Sequence, residues 1–150
     1  MRALLQRVSS ASVTIEGKEV SAIGRGLLLL LGVEEEDGRE DIEWLARKVS
    51  SMRIFGDENG RMNVSLCDIK GELLIVSQFT LHASVKKGNR PSFIKAAKPE
   101  RAIPLYEDFI TECEKYLPGV VYSGEFGADM QIGLVNDGPV SIWIDTKNKE

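Results

Sequence analysis

The sequence of 150 residues contains two cysteines and one histidine, too few for most metal and disulfide frameworks. Cys67 and Cys113 lie far apart, and neither has a second cysteine or histidine at ligand spacing. We therefore expect two reduced thiols, no disulfide, no metal site and no cofactor.

The single histidine also limits nucleophilic catalysis. A Ser-His-Asp arrangement would have to combine His82 with Ser77 or Thr80. On an extended strand, Thr80 and His82 would share a face at about 6 to 7 Å, which is too far for direct proton transfer. We expect His82 to lie at the surface or at the rim of a site.

Long hydrophobic runs and nucleotide-binding motifs are absent as well. The longest apolar run, Leu27 to Leu31, is far below the ~20 residues that cross a bilayer, and the charge of Arg2 interrupts the beginning of the chain. Neither Gly-x-x-x-x-Gly-Lys-[Ser/Thr] nor Gly-x-Gly-x-x-Gly occurs. We expect a soluble, cytoplasmic protein without a membrane partner.

The chain does contain enough apolar material for a core. Hydrophobic residues make up 43% of a chain that has about the length of one domain and contains neither repeats nor a linker. We predict a single domain over residues 1–150.

Charge is unevenly distributed along the chain. The net charge is −4, yet the window from Lys86 to Arg101 holds six basic residues against one acid, Glu100. Such a basic window could bring a phosphate-bearing ligand to one face of an acidic protein. An ordinary solvated loop followed by a helix would have the same composition.

The apolar pattern predicts a hairpin, two helices and several further strands. Short strands at Leu4–Val8 and Ala11–Glu16 lead into a turn at Gly17-Lys18, which folds Val13–Ile15 against Val20–Ala22, and Leu27–Val33 follows as a central strand. Apolar residues at helical spacing predict a first helix from Asp37 to about Met52. A second helix is predicted from Pro99 through Cys113, before Pro118-Gly119.

The later strands complete the predicted fold. They are Leu73–Leu81, 120–122, 130–135 and 140–145, with Asn136 to Pro139 as the connection that joins the last two as an antiparallel pair. The strands and helices do not alternate regularly, so we predict an α+β fold with mainly antiparallel sheets, barrel-like or as two packed sheets, and two main helices.

Two irregular segments stand out against this pattern. Ser77-Gln78-Phe79-Thr80-Leu81 places three hydrogen-bonding side chains directly after the buried run Leu73–Val76, so they are expected at the mouth of a core strand. Asn136-Asp137-Gly138-Pro139-Val140-Ser141 combines glycine and proline after another strand-like run. Without a functional site, the first segment would be a polar strand edge and the second an ordinary hairpin turn.

These two segments resemble the signature motifs of the D-aminoacyl-tRNA deacylases, historically called D-tyrosyl-tRNA deacylases. The resemblance extends over essentially the whole chain and departs at Ser141, where the family commonly has threonine. Further matching segments are Gln6-Arg7-Val8, Gly26-Leu27-Leu28, 87–93 and 124–128.

The resemblance implies a homodimeric enzyme that hydrolyses the ester between a D-amino acid and the terminal ribose of tRNA. Ser77, Gln78, Phe79 and Thr80 would form the catalytic segment. The backbone N–H groups of Phe79 and Thr80 would bind the oxyanion, and Ser77 and Gln78 would order the adenosine or water. The 2′-hydroxyl of the tRNA would assist.

The second motif is implied to select the configuration of the amino acid. Gly138 and Pro139, joined by a cis peptide bond, would reach from one subunit into the pocket of the other, where their carbonyl oxygens exclude an L-side chain. Asn136 belongs to the same filter, and Arg7 would support it. Glycine has no side chain to exclude, so hydrolysis of glycyl-tRNA is expected.

In the basic window, Lys86, Lys87 and Arg90 would bind the tRNA. Two other functions remain open from the residues alone. One is a non-catalytic module that binds the aminoacyl end of tRNA. The other is a general esterase with Thr80 as its nucleophile, which would be labelled by an acylating inhibitor and would not require RNA.

Overall fold

The fold is organised around one long strand. A computed structural model, which describes all residues from 1 to 150, contains eight strands, two α-helices and one 3-10 turn. In chain order, these are β1 (Arg2–Ile15), β2 (Lys18–Ile23), β3 (Gly26–Gly32), α1 (Arg39–Ser51), β4 (Phe55–Gly56), β5 (Met62–Val64), β6 (Glu72–Ser77), the 3-10 turn (Phe79–His82), α2 (Pro99–Tyr116), β7 (Val121–Ser123) and β8 (Gln131–Asp145).

Strand β1 has partners on both of its edges. On one edge it pairs with β3 over its first half and with β2 over its second half, and on the other edge it pairs with β8. The predicted hairpin is confirmed, with Val13 opposite Ser21. The two short strands predicted at 4–8 and 11–16 are wrong as separate elements, because pairing with β8 continues across the residues between them.

The main sheet is mixed, which corrects the prediction of mainly antiparallel sheets. Its order is β2-β1-β3-β6-β7, with β8 on the free edge of β1, and β4 and β5 form a separate small sheet. The pairs β3/β6 and β6/β7 are parallel. Each parallel pair is connected through a helix, as a crossover between parallel strands requires. The α+β class with two helices is confirmed.

The predicted hairpin between 130–135 and 140–145 is wrong. Both segments belong to the single strand β8, and both pair with β1 rather than with each other. Register shifts between Gln6 and Val8 and between Val8 and Ser10 accommodate Asn136 to Pro139 within the strand, as irregularities of this kind do.

The main sheet curls until it nearly closes. The hydroxyl of Ser21 in β2 donates to the carbonyl oxygen of Ser123 in β7, at 2.6 Å. Next to β2, the amide of Gly24 donates to the carboxylate of Glu72, at the start of β6. The first contact joins the two end strands β2 and β7, and the second joins the end of β2 to β6, so the sheet is close to a barrel.

Both faces of the central strands are buried. Leu27 and Leu29 of β3 belong to the larger core cluster, which also contains the buried side chains of both helices, whereas Leu28 and Leu74 belong to a smaller cluster on the other face. Strands buried on both faces have continuous apolar sequences rather than alternating ones, which explains the five consecutive leucines of β3.

The two helices agree with the sequence prediction. Helix α1 lies within the predicted range and buries Ile42, Leu45, Ala46 and Val49 on one face, while Met52 follows the end of the helix. Helix α2 begins at Pro99, a position where proline is tolerated because the first N–H groups of a helix have no intrahelical acceptor. Neither helix combines the length and apolar character needed to span a bilayer.

Candidate active site

The first motif marks the end of a strand. Strand β6 ends at Ser77, and the chain then enters the 3-10 turn Phe79–His82. The prediction that the strand continues to Leu81 is therefore wrong. The amide of Gln78 still donates to the carbonyl oxygen of Leu31, at 2.7 Å. Because β3 ends one residue later, at Gly32, no strand remains for residues beyond Gln78 to pair with.

A cavity of about 260 Å³ opens beside this strand end. Ser77, Gln78 and Phe79 form one wall. The remaining walls are mostly apolar, and their residues are Leu31, Val33, Val76, Ala97, Ala102, Phe126, Gly127, Ala128, Met130 and Ile132. The cavity therefore combines a polar strand terminus with an apolar chamber, which is how small-molecule sites are usually built.

Thr80 lies next to the cavity without lining it. Its hydroxyl oxygen accepts a hydrogen bond from the side-chain amide of Gln78. No histidine, lysine or carboxylate forms a hydrogen bond with the side chain of Ser77 or Thr80, so neither hydroxyl has a base that could activate it.

His82 is fully buried, so the expectation of a surface or rim histidine is wrong. Neither of its ring nitrogens has a hydrogen-bond partner. The ring packs against Gly32: a Cβ atom at that glycine would lie 2.9 Å from Cδ2 of His82 and 3.1 Å from the carbonyl oxygen of Gln78. Burial lowers the pKa of His82, which favours the neutral ring.

The second motif forms a tightly hydrogen-bonded segment of β8. The side-chain oxygen of Asn136 accepts from the amide of Val140 at 2.8 Å, and its side-chain nitrogen donates to the hydroxyl of Ser141 at 3.1 Å. The peptide bond between Gly138 and Pro139 is cis. Both of these residues are exposed at the protein surface.

Arg7 fixes this segment from the neighbouring strand. Its Nε donates to the carbonyl oxygen of Asp137 at 2.9 Å, and its Nη1 donates to that of Ile54 at 2.6 Å. Gly138 has a φ of +139°, and a Cβ atom there would lie 2.9 Å from Nη2 of Arg7. A side chain at position 138 would therefore be strained and would also collide with the arginine.

Within one chain, the two motifs are not brought together. The cavity is lined by residues of the first motif, but not by Arg7, Asn136, Gly138 or Pro139. The sequence thus identified two separate surfaces of the chain rather than two halves of one pocket.

The basic residues predicted to bind tRNA lie on the loop 85–91. Ser84 and Ser92 close this loop through reciprocal backbone hydrogen bonds of 2.8 and 3.0 Å. Lys86, Lys87 and Arg90 are exposed. Directly after the loop, Phe93 packs edge-to-face against Phe79, with ring centroids 5.1 Å apart, so the loop adjoins the cavity wall.

Comparison with known proteins identifies the family. The family model described as D-Tyr-tRNA(Tyr) deacylase matches residues 4–145. The chain belongs to this family. Proteins named D-aminoacyl-tRNA deacylase from Bacteroides thetaiotaomicron and from Bacteroides fragilis strain YCH46 are 59% and 61% identical to it, each over 100% of both chains.

Solved structures of two similar proteins agree with the fold. One, described as c-Myc DNA Unwinding Element Binding Protein, is 44% identical, with a TM-score of 0.92 over 97% of this chain and 98% of that one. Another, from a structural analysis of a probable eukaryotic D-amino acid tRNA deacylase, is 18% identical with a TM-score of 0.81, covers 95% of this chain and 97% of that one, and supports the fold alone.

Membership of the D-aminoacyl-tRNA deacylase family confirms the expectation of a hydrolase. The structure also adds cavity residues to this deacylase that the sequence did not single out as site residues, chiefly Phe126, Ala128, Ala97 and Ala102. Phe126 and Ala128 lie in the segment 124–128, which contributed to the family resemblance, so the resemblance could have indicated them as site residues. Ala97 and Ala102 lie outside that segment and are chemically ordinary, and only the fold places them in the cavity wall.

Proposed function

We propose that this deacylase hydrolyses the ester bond of D-aminoacyl-tRNA in the cytoplasm and releases a free D-amino acid and tRNA. The observation that carries the proposal is the cavity at the end of β6, because it is lined by the first motif and is otherwise apolar. At about 260 Å³, it lies just below the ~300 Å³ at which drug-sized pockets begin, so it suits a fragment such as one amino acid side chain or one nucleobase.

In the proposed chemistry, the protein stabilises the negative charge of the oxyanion, and the ribose 2′-hydroxyl of the substrate assists the hydrolysis. Water adds to the ester carbonyl carbon, the bond to the ribose oxygen breaks, and that oxygen takes a proton. The amides of Phe79 and Thr80 are suited to bind the oxyanion because they open a helical turn, where N–H groups lack intrahelical acceptors. Neither Ser77 nor Thr80 has a base, which favours assistance by the ribose 2′-hydroxyl over a covalent route.

We infer that the configuration of the amino acid is read by the second motif of a partner subunit in a homodimer. The carbonyl oxygens of Gly138 and Pro139 would occupy the space that an L-side chain requires, and Asn136 and Arg7 hold this segment in place. In its own chain the segment does not line the cavity, so a partner's cavity is the site it would complete. Glycyl-tRNA would pass the filter because glycine has no side chain.

Two features support a homodimer. Strand β8 pairs only with β1, so the other edge of a 15-residue strand is open, and open edges invite pairing with a second chain. Leu134, Val135 and Trp143 of this strand are exposed apolar side chains. The same strand carries Gly138 and Pro139, so an interface along β8 would bring the filter close to the partner subunit.

The direct test is turnover. Purified protein is incubated with D-Tyr-tRNA, L-Tyr-tRNA and Gly-tRNA, and the free amino acid is measured over many enzyme equivalents. We expect repeated turnover of the D-tyrosyl and glycyl substrates and little of the L-tyrosyl substrate. A D-tyrosyl substrate with a 2′-deoxyadenosine terminus should react very slowly.

Two results would favour the other functions. Tight binding of D-Tyr-tRNA without turnover would indicate a non-catalytic module for the aminoacyl end. Hydrolysis of simple esters without RNA, together with labelling of Thr80 by an acylating inhibitor, would indicate a general esterase. Either result would contradict substrate-assisted hydrolysis.

A further inference from the structure

An exposed apolar surface adjoins the mouth of the cavity. The side chain of Phe79 is 56% exposed although it also lines the cavity, and Ile94 is 92% exposed. Phe79 and Phe93 pack edge-to-face with an interplanar angle of 77°. We call these two rings the Phe79–Phe93 pair. Large apolar side chains that remain exposed beside a site indicate a surface that meets a partner.

Backbone hydrogen bonds hold the Phe79–Phe93 pair in place. Before Phe93, Ser92 is paired with Ser84. After it, the amide of Ala96 donates to the carbonyl oxygen of Phe93 at 3.0 Å, and the amide of Ala97 donates to that of Val33 at 2.9 Å. The ring of Phe93 is therefore preorganised, so binding to it costs little conformational entropy.

Positive charge that no acid neutralises surrounds the Phe79–Phe93 pair along the chain. In the chain, Lys86, Lys87 and Arg90 lie between the two rings, and Lys95 and Lys98 follow Phe93. None of these residues forms a salt bridge. The chain as a whole has a net charge of −4. Aromatic rings combined with free cations are typical of surfaces that bind single-stranded nucleic acid, because bases stack while phosphates are neutralised.

We propose that the Phe79–Phe93 pair stacks the unpaired nucleotide that precedes the terminal adenosine of tRNA, an inference that rests on the proposed function. Phe79 forms part of the cavity wall and contacts Phe93 on the outside, so a strand that leaves the cavity passes over the pair towards the basic loop. A protein partner fits this surface less well, because lysines are depleted in protein–protein interfaces.

A series of truncated substrates tests the inference in the wild-type enzyme. The substrates are D-tyrosyl-adenosine, D-tyrosyl-cytidylyl-adenosine and D-Tyr-tRNA. Stacking of one base should raise kcat/KM about 10-fold when the cytidine is added. Equal kcat/KM for the first two substrates would overturn the inference alone. Hydrolysis of none of the three would overturn the proposed function and the inference with it.

Substitution of Phe93 separates stacking from packing. We expect Phe93→Leu to lose the gain from the cytidine while kcat/KM for D-tyrosyl-adenosine stays at the wild-type value, and Phe93→Tyr to retain the gain. Tyr116→Leu, which changes an exposed aromatic residue on helix α2, is the matched control and should behave as wild type. Equal losses on both substrates in Phe93→Leu would assign a merely structural role to the ring.

A competition experiment separates the tRNA end from nucleic acid in general. A short RNA ending in CCA should inhibit hydrolysis of D-Tyr-tRNA more strongly than oligo(dT) of equal length. The inhibition should weaken as the salt concentration rises. It should also be weaker in Lys87→Ala than in the control variant Lys18→Ala. Inhibition by oligo(dT) as strong as that by the RNA would indicate a general single-strand surface and would overturn the assignment to the tRNA end.

Discussion

Thr80 is the residue at which the two chemical routes differ most. Its hydroxyl accepts a hydrogen bond from Gln78 and has no base beside it. Under substrate assistance, Thr80→Ala removes a side chain but leaves the backbone N–H group that is proposed to bind the oxyanion. We expect this variant to keep kcat within about 10-fold of wild type on D-Tyr-tRNA, since a contact of about 1 kcal/mol is lost. A loss of several thousandfold would instead support a Thr80 nucleophile.

The lowered pKa of His82 makes the folding stability of the protein depend on pH. Burial is the main cause of its lowered pKa, and the charge of Arg2 lowers it further, whereas a backbone interaction with Gly32 and the charge of Glu34 oppose the shift. The unfolded chain therefore binds a proton more readily than the folded chain once the pH falls to about 6.5. Protonation of His82 therefore leaves the free energy of unfolding unchanged above that pH and decreases it below that pH.

The measurement is thermal unfolding of wild type and His82→Leu between pH 7.5 and pH 5. We expect the melting temperature of wild type to fall more steeply with decreasing pH than that of the variant, which has no titrating ring at this position. Parallel curves would show that the pKa of His82 is the same in the folded and the unfolded state, which would contradict the effect of burial.

At the scale of elements, the sequence predicted most helices and strands, but of the strand pairing it predicted only the hairpin of β1 and β2. Helical spacing was sufficient for α1 and α2, because each helix buries only one face. Leu27–Leu31 and Leu73–Val76 were recognised as core strands, yet an apolar run buried on both faces does not identify its neighbours. The missed signal was the order strand, helix, strand, which occurs twice and favours parallel pairs.

The candidate site was predictable only in part for a related reason. Ser77 to Thr80 stood out because polar side chains follow a buried strand, and the family resemblance supplied Gly138 and Pro139. The burial of His82 follows from the 3-10 turn, which begins where β3 ends and β6 loses its partner. That loss of a pairing partner is a tertiary event, and no local pattern in 77–82 encodes it.

The close packing of β3 against the 3-10 turn gives a prediction at this scale. A methyl group at Gly32 would lie 2.9 Å from His82 and 3.1 Å from the carbonyl oxygen of Gln78, so the turn must move. We expect Gly32→Ala to destabilise the fold by about 1 to 3 kcal/mol and to lower kcat on D-Tyr-tRNA, because the amides of the turn are displaced.

Gly56→Ala is the control for Gly32→Ala. Gly56 lies in β4 and has only one atom near its Cβ position, at 4.0 Å. Denaturant unfolding and kcat should match wild type in this variant. Wild-type kcat in Gly32→Ala would show that the amides of the turn tolerate displacement, and would weaken their proposed role in oxyanion binding.

At the scale of the whole molecule, the proposed function requires a second chain that brings the two motifs together. One chain carries the cavity at one place and the proposed filter segment, Gly138 and Pro139, at another. The open edge of β8 and its exposed apolar residues offer a surface that could unite them. Pairing across an interface leaves no periodicity in the sequence, so only the family resemblance predicted a dimer.

Subunit mixing tests whether the filter acts between chains. Arg7→Ala removes the hydrogen bond to Asp137 next to the proposed filter, and we expect this variant to hydrolyse L-Tyr-tRNA as well as D-Tyr-tRNA. Ala128→Trp fills the cavity and should be inactive while its filter stays intact. After the two variants are mixed under conditions that exchange subunits, each active cavity faces an intact filter in the mixed dimers.

With excess Ala128→Trp, hydrolysis of L-Tyr-tRNA per Arg7→Ala subunit should therefore fall towards the wild-type value, while hydrolysis of D-Tyr-tRNA persists. A filter that serves its own chain would leave the ratio of L to D hydrolysis unchanged at every mixing ratio. Mixing Arg7→Ala with the doubly substituted chain Arg7→Ala/Ala128→Trp is the control, because those dimers contain no intact filter and should stay unselective.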